Sequence, residues 1–183
     1  MGRRVGVLVS GAGSNLQALL DSGVDVAAVA SNTAGVGALA RADLAGLPNA
    51  VFPLEDYADR DARDLAMAEW LGSQGVELVV CAGYMQLLRP GFLDRFPDAV
   101  VNVHPALLPA FPGAHAVDEA LAAGVDETGA TVHLVDAGVD TGRVLRQERV
   151  PIVVGDTRES LHARIREVEH RLLPEVVKEL AGR

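Results

Sequence analysis

Short aliphatic runs recur along this chain with helical stretches between them, and that alternation restricts it to strand–helix–strand units around a parallel sheet. Val5-Gly6-Val7-Leu8-Val9 reads as a buried strand, residues 14–20 as a helix after a glycine turn, and residues 24–30 as a second strand. Residues 37–45 look helical, residues 50–52 form a short strand, and residues 77–82 form another buried one. Residues 58–73 have helical spacing, with Leu65, Ala68 and Leu71 expected on the inner side. After residue 99 the pattern changes. One strand enters Asn102-Val103-His104-Pro105, residues 116–123 give one helix, and two β-rich runs follow at 130–135 and 143–153. The loop between those runs is too short for a helical crossover, so an antiparallel pair is expected. Asp156-Thr157-Arg158-Glu159 resembles a capping box opening a last helix, with Leu161, Ile165, Val168 and Leu172 on its apolar face. No linker or repeat divides the 183 residues, and both halves are expected to share one sheet.

Composition narrows the function. Apolar residues make up 49% of the chain but aromatics only 4%, so the core must be built from Val, Leu and Ala. A net charge of −9 disfavours a nucleic-acid partner, which would want a basic face. A small anionic substrate is not disfavoured, because backbone N–H groups and a few arginines can hold it. No apolar run approaches a membrane span, and the start is a poor signal peptide. The single cysteine, Cys81, excludes an internal disulfide, fits a reducing compartment, and reads as a buried strand residue. A cytoplasmic protein with small-molecule substrates is expected, without nucleic acid or membrane, as monomer or homodimer.

Two segments carry chemistry. In Asn102-Val103-His104-Pro105 an amide and an imidazole lie two residues apart, a spacing that puts both on one face of a strand. At the carboxyl edge of an open α/β sheet they face the usual site of chemistry. The amide can hold a carbonyl or oxyanion, and the imidazole can move a proton near neutrality, so together they suggest acyl transfer. Taken alone, His104 also fits a structural histidine. Asp140 lies in a loop with Asp136, Gly138 and Gly142 and fits a turn former equally well. If Asp140 reaches His104, its carboxylate favours the imidazolium, by about 1–3 pKa units, as suits a general acid.

The second segment, Ser10-Gly11-Ala12-Gly13-Ser14-Asn15-Leu16, closes the first strand and opens the first helix. A helix N-terminus offers free N–H groups to an anion, and Ser14 and Asn15 add side-chain donors. Leu16 occupies the third glycine position of the dinucleotide fingerprint, and the second strand ends in Ser31-Asn32 rather than an acid. A lone phosphate therefore fits better than a nicotinamide cofactor, and a structural turn with an N-cap fits as well. His133, in the strand Ala130-Thr131-Val132-His133, reads as a supporting residue, His115 and His162 as surface or loop residues, and His170 as undecided. No metal is expected, because the histidines lack ligand spacing and Cys81 stands alone. A serine hydrolase is excluded by the absence of a Gly-x-Ser-x-Gly segment.

With Ala82-Gly83-Tyr84-Met85, and with His133 followed by Asp140-Thr141-Gly142, these motifs resemble the folate-dependent glycinamide ribonucleotide formyltransferases of purine biosynthesis. The resemblance runs from about Val5 to the final helix. It implies a formyltransferase fold: α/β, a Rossmann-like, mostly parallel twisted sheet with helices on both faces and an antiparallel C-terminal strand pair. It implies one domain over residues 1–183, with a nucleotide-phosphate half at about 1–98 and a folate and catalytic half at about 99–183. The co-substrate implied is 10-formyltetrahydrofolate, with no metal. Asn102, His104 and Asp140 match the catalytic trio, with Asn102 also facing the folate. Gly13, Ser14 and Asn15 match the loop that holds the ribonucleotide phosphate, and Glu169 an acid contacting that substrate. Met85, Gln86, Leu87 and Leu88 match the pterin pocket, and Arg60 a folate-contacting arginine. Gln86 stands where arginine often occurs, Arg166 near a common glutamine, and Arg143 where proline is common. The length leaves no room for the extra domains of methionyl-tRNA formyltransferases or formyltetrahydrofolate deformylases, so the purine branch is expected. A formyltetrahydrofolate hydrolase and a non-catalytic folate- or nucleotide-binding protein are the alternatives.

Overall fold

A strand that is aliphatic on both sides needs a layer over each face, and the aliphatic runs occupy the middle of one sheet. In the computed structural model, which describes residues 2–182, the strands are β1 (Val5–Val9), β2 (Val26–Ser31), β3 (Asn49–Val51), β4 (Leu78–Cys81), β5 (Val100–His104), β6 (Glu127–Leu134) and β7 (Val144–Pro151). They form a seven-stranded sheet in the order β3-β2-β1-β4-β5-β6-β7. The pairs from β3 to β5 are parallel, and β6 and β7 are antiparallel additions. Central β1 is buried throughout, whereas edge strand β7 is largely open to solvent.

The helices are α1 (Ser14–Asp21), α2 (Gly37–Leu44), α3 (Arg60–Ser73), α4 (Pro90–Arg95), α5 (Ala116–Ala123) and α6 (Arg158–Ala181). α1 and α5 pack against α6, which lies across β6 and β7; α3 packs against α4 and β2. The core is aliphatic as composition requires, with Leu8, Leu16, Leu71, Leu78 and Leu173 fully buried. Each such side chain contributes roughly 1.5–3 kcal/mol of transfer free energy.

Three details depart from expectation. Leu65 is 46% exposed, while Arg63 and Asp64 are buried beside Met67 and Ala68. The reason is an ion pair: Arg63 Nη2 lies 2.7 Å from Asp64 Oδ1. The other carboxylate oxygen accepts the Arg89 N–H at 2.8 Å, which fixes the start of α4. A paired, hydrogen-bonded charge can enter a core where a lone one cannot. Second, α6 is capped by Thr157 and Ser160 in a reciprocal box, one position later than the expected Asp156–Glu159 frame. Asp156 instead accepts from the Val153 N–H and from Arg164. Third, α4 and a 3₁₀ turn at Leu54–Asp56 are additional elements, too short to show a hydrophobic period.

The topology fixes where a ligand can sit. From β1 the chain runs outward to β2 and β3, then returns to add β4 and β5 on the other side. The loops leaving β1 and β4 therefore diverge, and the crevice between them opens at the carboxyl ends of the strands.

Candidate active site

The loop after β1 reaches α1 through Gly13, which has a left-handed φ of 79°. A Cβ there would sit 2.6 Å from the Ala38 Cβ, so both conformation and close approach of α2 require glycine. No side chain caps α1, leaving the N–H groups of its first turn open to an anion.

Asn102 and His104 come from β5, and the antiparallel register sets His133 of β6 directly opposite Asn102. Asn102 Nδ2 lies 3.2 Å from His133 Nε2. His133 Nδ1 lies 2.8 Å from the Leu134 carbonyl. A carbonyl only accepts, so Nδ1 carries hydrogen; Nε2 accepts from the amide in the neutral ring and can donate to a carboxylate only in the imidazolium. His104 Nε2 likewise donates to the Phe111 carbonyl at 2.8 Å. Its Nδ1 faces Asp140 Oδ2 at 3.4 Å. The same oxygen accepts the Gly113 N–H at 2.8 Å. Asp140 Oδ1 lies 3.5 Å from His133 Nε2. One carboxylate thus stands between two buried imidazoles and ties the loop after β5 to the loop after β6. Its pKa is lowered to about 2, chiefly by the hydrogen bond with His133, then by the Gly113 amide and the charge of His104, against an opposing desolvation by burial.

Asp140 has a φ of 53°, a left-handed conformation that aspartate tolerates better than most residues. The loop is organised by Asp136, whose Oδ1 accepts from the Gly138 N–H and the Thr141 hydroxyl. Gly142 closes it against β6: a Cβ there would lie 1.8 Å from the Leu134 carbonyl oxygen. Gly142→Ala is expected to push the loop off the strand and lower kcat about 100-fold, since displacing a reacting group by about 1 Å has that cost. Steady-state kinetics beside a melting curve would check it; full activity would mean that the loop shifts without moving Asp140.

These groups line a cavity of about 560 Å³. Gly13, Ser14 and Asn15 lie in its wall, as do Met85, Gln86, Leu87, Leu88, Asn102, His104, His133, Asp140 and Glu169. Arg60 does not: it opens α3 at an exposed position outside the lining. Apolar Leu88, Val135 and Val139 give the cavity a surface for a flat ring. Cys81 also lines it, but burial pushes the thiol up to about 12, which makes it a packing residue rather than a nucleophile.

α6 contributes more than the sequence reading assigned. Arg158, His162 and Arg166 lie four residues apart on one helical face and all reach the cavity wall, as does His115, which precedes α5. The surface or loop placement expected for His162 is thus corrected, because the helical i, i+4 spacing of α6 aims it inward, whereas His115 is exposed in the turn before α5 as expected and lines the cavity from there. That basic stripe was the available signal. Arg158 is engaged by Asp118 at 3.2 Å, whereas Arg166 has no ion-pair partner among the described residues.

Glu169, one turn from Arg166, is buried, and its Oε2 accepts from Asn15 Nδ2 at 3.2 Å. Burial raises its pKa to about 7, with the Asn15 hydrogen bond and the Arg166 charge opposing. The folded value exceeds the usual one, so stability is greatest below the ordinary carboxylate range of 4.5 and declines as pH rises to about 7. Glu169→Gln is expected to be more stable than wild type at pH 8 by roughly 3 kcal/mol and little different at pH 4.5. Denaturant melts at the two pH values would check this; equal differences at both would show that ionisation of Glu169 carries no cost.

The sequence and the fold are similar to those of known proteins. Residues 3–177 match the family model described as formyl transferase. The chain is 48% identical over 182 residues to a phosphoribosylglycinamide formyltransferase of Mycobacterium tuberculosis, covering 97% of this chain and 85% of that protein. It is 43% identical over 188 residues to the trifunctional purine biosynthetic protein adenosine-3 of Chironomus tentans, covering 98% of this chain but spanning only 14% of that protein. The crystal structure of glycinamide ribonucleotide transformylase 1 from Geobacillus kaustophilus superposes with a TM-score of 0.96 at 40% identity, covering 100% of each chain. The match over nearly the whole length, in sequence and in fold, leads to one conclusion: this chain is a member of the formyl transferase family.

Proposed function

We propose that this protein transfers the formyl group of 10-formyltetrahydrofolate to the amine of phosphoribosylglycinamide, giving N-formylglycinamide ribonucleotide and tetrahydrofolate. The observation that carries the reading is the shape of the cavity: an amide–imidazole–carboxylate cluster in one part of its wall and an uncapped helix N-terminus in another. A phosphate suits the N–H groups at Ser14 and Asn15, with Arg166 as a nearby cation. In this reading Glu169, in the same cavity wall, accepts hydrogen bonds from the sugar. The pterin suits the 85–88 loop, where the backbone of residues 86–88 makes no hydrogen bond among the described residues and the Leu88 side chain is apolar.

The amine attacks the formyl carbon and the carbonyl oxygen becomes an oxyanion. Asn102 supplies an amide N–H to that oxygen. His104 in its imidazolium form supplies Nδ1–H, whose long 3.4 Å contact to Asp140 lets the developing charge share that hydrogen. Fixed donors of this kind are each worth about 3 kcal/mol in a transition state. Asp140 compensates the imidazolium and orients the proton that passes to the leaving nitrogen, a contribution of about 10²–10⁴ in rate. Holding both substrates in one cavity supplies the proximity term.

Hydrolysis of the same formyl-folate uses the same cluster but gives the open N-terminus of α1 no purpose. The test is product identification: purified protein with both substrates should yield formylated nucleotide and tetrahydrofolate in equal amounts. Formate as the product would replace the reading with the hydrolase, and ligand binding without turnover would replace it with a binding protein.

A further inference from the structure

The loop between β4 and α4 presents two apolar side chains to solvent, Met85 at 63% and Leu87 at 51% exposure. Such a segment gains by folding inward, so its extended position needs fixed anchors. At its far end the Arg89 N–H is held by Asp64. At its near end the Met85 N–H donates to the Ser10 hydroxyl at 2.9 Å. Ser10 passes its own hydrogen to Asn32 Oδ1 at 2.6 Å. A hydroxyl has one hydrogen to give, so Ser10 cannot rotate without losing one of the two bonds. β1 lies between β2 and β4 in the sheet, so this pair of bonds runs sideways across the carboxyl ends of three adjacent strands. Ser10 is also the residue immediately before the Gly11–Gly13 turn into α1. Ser10 and Asn32 both lie outside the cavity lining, so neither acts by touching a ligand there.

We propose that Ser10, oriented by Asn32, is a positioning residue that sets the 85–88 loop against the β1 turn and thereby sets the affinity for the folate. The inference rests on the formyl-transfer reading above. The Asp64 anchor is a poor place to test it, because removing that carboxylate strands buried Arg63 and unfolds the region. The Ser10 anchor is separable. In steady-state assays with each substrate varied in turn, Ser10→Ala is expected to raise the KM for 10-formyltetrahydrofolate about tenfold, the order expected for an orphaned N–H at a binding loop. The KM for phosphoribosylglycinamide should stay within about threefold, since the donors at Ser14 and Asn15 keep their own supports. Asn32→Ala should raise the folate KM about threefold, and should add little in a Ser10→Ala background, because Asn32 acts only through that hydroxyl. Calorimetric binding of tetrahydrofolate gives the same comparison without turnover and should show the same order of losses. An unchanged folate KM in Ser10→Ala, an equal rise for both substrates, or full additivity with Asn32→Ala would overturn the inference. If Ser10→Ala does not fold, Asn32→Ala alone decides, by its effect on the folate. Failure of the wild type to transfer formyl overturns the activity itself, a different outcome from an active wild type whose Ser10→Ala variant binds folate normally.

Discussion

Replacing Asp140 by asparagine is expected to lower kcat by about 10³–10⁴, the range seen when the carboxylate behind a catalytic imidazole is lost. One carboxylate oxygen accepts from the Gly113 amide and faces His104 Nδ1, so an amide in its place removes the charge that favours the His104 imidazolium. With its pKa lowered to about 2, Asp140 is ionised throughout the working range. The sign follows from that depression: its contribution to stability is present above the usual carboxylate value and is lost only as pH falls through about 2. The acid limb of the activity profile must therefore come from another group, the attacking amine among them, and should persist in wild type well above pH 2. The KM for phosphoribosylglycinamide should hardly change, because Ser14 and Asn15 do not touch Asp140. A kcat within tenfold of wild type would remove Asp140 from the chemistry.

The second large effect is expected for His104→Ala. It removes the imidazolium donor to the oxyanion and the ring that pairs with Asp140 while the amine's proton passes to the leaving nitrogen. A loss of about 10³ in kcat is expected, with both KM values within a few-fold, because the interaction is made chiefly in the transition state. The variant also orphans the Phe111 carbonyl and removes a partner of Asp140, so some loss of melting temperature should accompany it. The informative measurement is the double variant. If Asp140 acts through His104, adding Asp140→Asn to His104→Ala should cost little more, whereas independent roles would multiply the two losses.

How much of this was legible in the chain follows from the kind of signal each feature leaves. The aliphatic runs gave the parallel core directly, since a strand buried on both faces has few other residue types to use. The antiparallel pair was legible from a loop too short for a helix. Local spacing also revealed Asn102 and His104 as neighbours on one strand. What spacing cannot show is cross-strand register, so His133 read only as a supporting residue until β6 placed it opposite Asn102. Asp140 was visible as a candidate but its reach to two imidazoles depends on the fold of its loop against Leu134. Arg63 and Asp64 broke the expected period of α3 because a buried ion pair looks like a solvated face in sequence. The cap of α6 slipped by one position because Asp156 and Thr157 are both good caps and only the contacts of Val153, Ser160 and Arg164 separate them. Arg60 matched by motif position, yet its place at the exposed start of α3 leaves it outside the cavity.

The account rests on one cavity serving two substrates, and one measurement addresses that directly. Tetrahydrofolate release from 10-formyltetrahydrofolate should be followed with and without phosphoribosylglycinamide, using pure folded protein. The account expects release to be negligible without the nucleotide and to rise by several orders of magnitude when it is added, saturably and in step with formylated nucleotide. A release rate indifferent to the nucleotide would contradict it.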